Sequence, residues 1–151
     1  MKYTRYITLA LALVSGASAI TINRNQASAI YGALAGSRPD GQPNIGPGLS
    51  LTNVVAAADD INLLTPVVTA YDKAKLAAQH KIQLLPKSED RDAKAQAILD
   101  DLNAIGATEI TIDLEPLSLT PQEAVDCKMT PATLSCIYLY LKPATASSAK
   151  K

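Results

Sequence analysis

The chain of 151 residues contains no tryptophan and no phenylalanine, and its six tyrosines are its only aromatic residues. A core must therefore be built from Ala, Leu, Ile and Val, which suit closely packed helices better than a large ligand pocket lined with rings. One histidine and two cysteines are too few, and too widely separated, to form a zinc site. His80 stands at the polar end of a predicted helix with no nucleophile close by in the sequence, so a surface histidine is favoured over a catalytic one.

Glycine patterns that bind phosphates or dinucleotides, and the pattern that surrounds a nucleophilic serine, are also missing. The acidic pairs at 59–60 and 100–101 do not form chelating sites unaided, because adjacent positions on a helix do not face each other. These absences predict a protein that is not an enzyme and has no metal, no cofactor and no catalytic residue.

The chain also has no excess of positive or negative charge, since it contains 14 basic and 14 acidic residues. Without residues 1–19, which include Lys2 and Arg5, the net charge becomes −2. A weakly acidic domain lacks the basic surface that nucleic-acid binding requires. We therefore expect a protein partner, either a second copy or another protein, and no nucleic acid.

The first 19 residues have the plan of a secretory signal peptide. Lys2 and Arg5 precede an apolar run over 7–14, and the sequence Ala-Ser-Ala ends at Ala19. The run is too short to span a membrane, which takes about 20 residues. The pattern predicts cleavage between Ala19 and Ile20 and export to the periplasm or the extracellular space, with no membrane attachment afterwards. The alternative is a start assigned too early, with a cytoplasmic or virion-associated product.

The two cysteines, Cys127 and Cys136, have eight residues between them. Export would permit a disulfide between them, and the spacing does not match a redox or zinc motif. The alternative is that both act as small apolar residues.

A stretch with helical periodicity, residues 50–82, is the longest element of the sequence. Ser50 or Thr52 is the expected cap. Pro66 predicts a hinge at Thr65-Pro66, where the helix either kinks or restarts. If it restarts, Thr65 is the cap and Pro66 is the first helical residue. Asp59 and Asp60 are expected opposite the apolar stripe or at its margins. The stripe consists of Leu51, Val54, Val55, Ala58, Ile61 and Leu64. It must be covered by the terminal helices or by another protein, and it is the first candidate for a binding surface.

Shorter elements precede and follow this stretch. Alternating apolar residues predict strands at 20–24 and 108–114, which we expect to pair because a lone strand leaves its backbone groups unsatisfied. Helices are predicted over 26–34, with Asn25 as cap, and over 89–105, after a capping Ser88 and before a Gly106 stop. Thr120, Pro121 and Glu123 form a capping signal that predicts one or two further helical turns. Thr130-Pro131 gives a similar signal for a helix over 131–141, which is favoured over the strand that the local composition allows. The 89–105 helix is expected to lie antiparallel on residues 67–82.

The loop over 37–48 contains three prolines and three glycines, and a connector is favoured over a binding loop. The whole pattern predicts one α+β domain, mainly α, over residues 20–142: a small helical bundle with a kinked long helix and a two-stranded ribbon, followed by a disordered tail over 143–151.

The order of these elements resembles that of a family of short, uncharacterised proteins of tailed bacteriophages and prophages. The likeness covers residues 20–141 and includes ITINRNQASAIYGAL, LTPVVTAYDKAKLAAQHKI, EITIDLEPLSL and TPATL. It implies a small accessory or structural protein of a phage particle or of its assembly, with no catalytic residue to transfer. Members of that family typically begin at the strand, so the predicted signal peptide is a departure from their pattern.

Two function hypotheses follow from the sequence. The first is a non-enzymatic structural or accessory protein that acts through protein–protein contacts of a helical surface, in a phage or prophage setting. The alternative is an exported domain that binds a protein or small ligand through the loop at 37–48.

Overall fold

The structure, a computed structural model, describes residues 18–38, 40–46 and 48–141. Within these ranges the chain has two strands and five helices, and the predicted α+β, mainly helical class is confirmed. The predicted tail lies outside the described residues, as does the predicted signal peptide apart from 18 and 19. The elements are β1 (Ser18–Asn23), α1 (Arg24–Ala35), α2 (Leu51–Gln83), α3 (Arg91–Ala107), β2 (Glu109–Leu114), α4 (Pro121–Asp126) and α5 (Pro131–Tyr140).

The strands β1 and β2 form the predicted two-stranded ribbon and run antiparallel. Ile20 lies opposite Ile112 and Ile22 lies opposite Ile110. These isoleucines share one face of the ribbon because side chains alternate along a strand. Ile22 is buried in the core and the other three pack against it, so one side of the ribbon faces the helices and the other faces solvent.

The helix α1 begins at Arg24, directly after β1. The side chain of Asn23 accepts a hydrogen bond from the backbone N–H of Gln26 at 2.9 Å, and the side chain of Gln26 accepts one from the backbone N–H of Asn23 at 2.8 Å. This reciprocal capping box satisfies two unpaired donors, so the prediction of Asn25 as the cap is wrong.

The helix α2 runs without a break through Pro66, so the predicted restart with Thr65 as cap is wrong. Pro66 has no N–H to donate to the carbonyl of Asn62, and both residues are exposed to solvent. The hydroxyl of Thr65 instead donates to the carbonyl of Ile61 at 2.6 Å. Pro66 and Asn62 both lie on the solvent side of the helix, where water can replace a missing donor, so the proline is tolerated there.

The helix α3 packs on the second half of α2, as predicted, but both of its ends differ from the prediction. It starts at Arg91, and the Ser88 hydroxyl donates to the Asp90 side chain instead of capping the helix. Gly106 lies inside the helix rather than ending it. A Cβ atom at Gly106 would lie 2.5 Å from the Tyr71 hydroxyl and 2.8 Å from Asn25, so glycine permits close contact of α1, α2 and α3 there.

The predicted signals for the last two helices are confirmed. Thr120 and Glu123 form a capping box at the start of α4, and Pro121 is its first residue. The hydroxyl of Thr130 accepts from the backbone N–H of Thr133 at 3.2 Å at the start of α5. The core lies between α1, the first half of α2, α5 and the ribbon, and it consists of Ile22, Ala27, Ile30, Leu34, Ala56, Ala57, Leu64, Leu114, Leu117, Cys127, Met129, Ile137 and Leu141.

Candidate interaction surfaces

The first half of α2 turns a partly polar face to the core. Asp60 has 0% of its surface exposed and Asn53 is also buried, beside the core residues Ala56, Ala57 and Leu64. Asp60 does lie away from most of the apolar stripe, as predicted, but the polar side of the helix and not the stripe faces the core. Buried polar side chains need hydrogen-bond partners, and both residues have them in the segment that follows β2.

This segment, residues 115–120, has no regular secondary structure, so its backbone groups need partners outside a helix or a sheet. The side chain of Asn53 donates to the carbonyl of Ser118 at 3.2 Å and accepts from the N–H of Ser118 at 3.1 Å. The N–H of Glu115 donates to Asp60 Oδ1 at 2.7 Å. The N–H of Leu117 donates to the carbonyl of Leu141 at 2.7 Å. Two side chains of α2 thus make the hydrogen bonds to this segment that a neighbouring strand would make in a sheet.

Glu123 joins this arrangement to the start of α2. Its Oε1 accepts from the N–H of Ser50 at 2.8 Å and from Asn53 Nδ2 at 3.1 Å, and its Oε2 accepts from the N–H of Thr120 at 2.8 Å. The backbone donors of Thr120 and then Ser50 lower the pKa of Glu123 to about 2. Glu123 therefore caps both α4 and α2, while the Ser50 side chain makes no capping bond. We call Asn53, Asp60 and Glu123, with the backbone they hold, the linker clamp.

Asp60 is the incompletely paired member of the linker clamp. Its Oδ2 atom is buried and has no hydrogen-bond partner among the described residues. Burial raises the pKa of Asp60 to about 7, against the opposing hydrogen bond from the Glu115 backbone, and the negative charges of Glu115 and Asp59 raise it further. None of the ion pairs among the described residues includes Asp60. The side chain thus changes charge near neutral pH inside the core.

Because α2 turns its partly polar face to the core, most of the predicted apolar stripe on its other side faces solvent. Leu51 is 79% exposed, Val54, Val55 and Ala58 are also exposed, and only Leu64 belongs to the core, with Ile61 packed at its edge. Val125 of α4 is 68% exposed, and it follows by two residues Glu123, which accepts a hydrogen bond from Ser50 at the start of α2. We call these apolar residues the α2–α4 patch: Leu51, Val54, Val55 and Val125.

A cleft of about 360 Å³ lies between α1, α5 and the loop after α1. Ser37, Arg38 and Asn44 line it from the loop, which is part of the segment predicted as a connector or a binding loop. Arg38 Nη1 donates to the carbonyl of Cys127 at 2.5 Å, and its Nε lies 3.3 Å from Asp40 Oδ1. Asn44 donates to the carbonyl of Gly32 at 3.0 Å. Several of the polar groups in the cleft are thus engaged within the protein.

Cys127 and Cys136 are not joined to each other in the structure, so the disulfide that export would permit is absent from it. Cys127 is buried, with its sulfur 3.7 Å from the carbonyl of Gly46. Cys136 lines the cleft, and burial raises the pKa of its thiol. The two sulfurs occupy different surroundings, which agrees with the alternative of two small apolar residues.

The described part of the chain contains no group of three or more His, Cys, Asp or Glu side chains arranged to hold a metal ion. Among the same residues, no helix combines the length and the apolar character needed to cross a membrane. His80 is exposed near the end of α2.

Comparisons with known proteins return no relative. No family model, no curated protein and no solved structure matches the chain. The resemblance to phage proteins therefore stays a prediction, and the function must be argued from the surfaces described above.

Proposed function

We propose that the protein is a non-enzymatic structural or accessory protein that binds an apolar surface of another protein through the α2–α4 patch. The observation that carries this proposal is the exposure of Leu51, Val54 and Val55 within the first two turns of α2. Single exposed apolar residues are common, whereas a contiguous group is typical of an interaction site. A phage or prophage setting remains part of this proposal, whereas cleavage after Ala19 belongs to the exported alternative.

The linker clamp supports this proposal because it fixes the two helices that carry the patch. Glu123 receives hydrogen bonds from Ser50 and Asn53, so α4 is attached to the first turn of α2. A rigid apolar surface loses little conformational entropy when it binds a partner.

Leu51→Asp is expected to weaken partner binding by at least tenfold, since burying one leucine contributes about 2 kcal/mol. An acid in the first turn of a helix is favourable, so the variant should stay folded. Partners recovered from native cells are identified and purified, and their affinity for each variant is then measured by calorimetry. Leu139→Asp is the control, because Leu139 is 70% exposed on α5, outside the patch. Equal binding by the two variants contradicts the proposal.

The cleft favours a second candidate, an exported domain that binds a small ligand. Its volume of about 360 Å³ is within the range of ligand sites, and Arg38 lines it. Mass spectrometry of protein from its native source is expected to show a chain beginning at Ile20 with a small molecule that is released on denaturation. Ala132→Trp fills the cleft from an exposed position and should abolish the bound mass. A chain that retains residues 1–19, or has no bound mass, contradicts this candidate.

A further inference from the structure

The second half of α2 and α3 form a helical hairpin whose apolar residues are poorly covered. Of the 17 residues of α3, only Gly106 is buried. The apolar residues of α3 that line the space beside α2, namely Ile98, Leu102 and Ile105, are only half-buried. A helix in a folded domain ordinarily buries such a stripe. One face of the hairpin is therefore incompletely covered by this chain.

A groove of about 200 Å³ runs between the two helices. Its apolar lining consists of Ala74, Ala77 and Ala78 from α2, and Ile98, Leu102 and Ile105 from α3. Lys81 lines it from α2 and Asp101 lines it from α3. Both charged residues are exposed, and no ion pair among the described residues joins them.

The two helices carry net charges of opposite sign. The second half of α2, residues 67–83, contains three lysines and one aspartate, a net charge of +2. The helix α3, residues 91–107, contains three acidic and two basic residues, a net charge of −1. A surface with a basic half and an acidic half is complementary to a second copy of itself.

We propose that two copies of the chain associate through this groove and form an antiparallel four-helix bundle. Two two-fold arrangements would bring the grooves face to face. In one, each helix meets the same helix of the second copy, which places lysines against lysines. In the other, α2 of each copy packs on α3 of the other, so that the Lys81 side of one groove meets the Asp101 side of its neighbour. Like charges disfavour the first arrangement, so the charge pattern selects the second.

The hairpin is large enough for a reversible dimer. The helix α3 is about 25 Å long, since each residue adds 1.5 Å, and two packed helices present a face about 20 Å wide. Two such faces bury on the order of 1,000 Å², near the lower limit of specific interfaces. This interface is separate from the α2–α4 patch, and the proposal does not depend on the function proposed for that patch.

The test is sedimentation equilibrium of the full chain over micromolar concentrations. The wild-type protein is expected to dimerise. Lys81→Glu and Asp101→Lys should each weaken dimerisation at least tenfold, because each places like charges across the interface. An equimolar mixture of the two variants should dimerise as the wild type does, since every contact between 81 and 101 in a mixed dimer joins opposite charges.

Both substituted residues are exposed, so circular dichroism should show unchanged helix content in each variant. A wild-type protein that stays monomeric overturns the proposal. Single variants that dimerise like the wild type overturn it as well, and would direct attention to another surface, for which Leu51→Asp is the probe. A mixture that stays monomeric also overturns it, because it excludes contact between α2 of one copy and α3 of the other.

Discussion

Asp60→Asn is expected to abolish most of the decrease in stability that the wild-type protein shows as pH rises from about 4 to about 8. The asparagine keeps an oxygen that can accept from the Glu115 N–H, and it has no charge to bury. In the wild type, the buried carboxyl has a pKa of about 7, whereas its ordinary value is 3.8. At 1.36 kcal/mol for each pKa unit, the difference corresponds to at most about 4 kcal/mol of unfolding free energy.

The sign follows from proton binding. Between pH 3.8 and about 7 the folded state holds a proton at Asp60 that the unfolded state has lost, so a rise in pH favours unfolding. The stability associated with neutral Asp60 is fully present below pH 3.8 and is lost as pH rises through about 7. Glu123 acts at the other end of the range, because its pKa is lowered from 4.5 to about 2 and its contribution is lost as pH falls between those values. Together the two groups place maximum stability near pH 4 to 5.

Urea unfolding at a series of pH values measures this prediction. Asp59→Asn is the matched control, since Asp59 is the exposed neighbour of Asp60 and its removal leaves the buried carboxyl in place. The control should keep the decline in stability above pH 4, and Asp60→Asn should lose it. Parallel pH profiles for Asp60→Asn and the wild type would contradict the burial of an ionisable Asp60.

Asn53→Asp is expected to destabilise the protein by roughly 3 kcal/mol at neutral pH. The variant keeps an oxygen that can accept from the N–H of Ser118. It replaces the Nδ2 donor, which lies 3.2 Å from the Ser118 carbonyl and 3.1 Å from Glu123 Oε1, with a second negative oxygen. Two hydrogen bonds are lost, and two carboxylates face each other at the start of α2.

Thr52→Asp is the control for this substitution. Thr52 is exposed in the same first turn of α2, so an acid there has the same favourable interaction with the helix dipole but does not touch the linker clamp. Its free energy of unfolding should change by less than about 0.5 kcal/mol. Chemical denaturation of both variants gives the comparison. If Asn53→Asp is as mild as the control, the contacts of Asn53 with Ser118 and Glu123 do not hold the segment.

Local signals in the sequence predicted most of the elements. The Thr120–Glu123 capping box and the Thr130-Pro131 pair lie within four residues of the starts of α4 and α5. The alternation of apolar and polar residues was enough to identify β2. Pairing of the two strands followed from their unsatisfied backbone groups, although Ile22 and Ile110 are far apart in the sequence. These features could be predicted because the cause lies within a few residues or in a requirement that every strand shares.

The orientation of α2 could not be predicted in this way. The apolar spacing from Leu51 to Leu64 indicates a buried stripe, yet Asp60 faces the core because it satisfies the N–H of Glu115, 55 residues away. Asn53 does the same for Ser118, 65 residues away. The periodicity of a helix does not reveal unpaired backbone groups in a distant segment, so it predicts the polar positions of α2 on the outside.

The same limit applies to the candidate surfaces. The stripe from Leu51 was predicted as a binding surface if nothing covered it, and four of its six members face solvent. The sequence does not predict the groove between α2 and α3, because antiparallel packing of 67–82 on 89–105 implies that each helix covers the other. Alanines at 74, 77 and 78 are too small to fill the space opposite Ile98 and Ile105, and that mismatch was the available signal.

The most direct test of the inward orientation of Asn53 and Asp60 is an NMR titration of the side-chain carboxyl carbon of Asp60. We predict a midpoint near pH 7, since the carboxyl group is fully buried and one of its oxygens has no hydrogen-bond partner. A midpoint near 3.8, the ordinary value, would show a solvated carboxylate. In that case α2 would turn its apolar stripe inward, and both the linker clamp and the α2–α4 patch would be excluded.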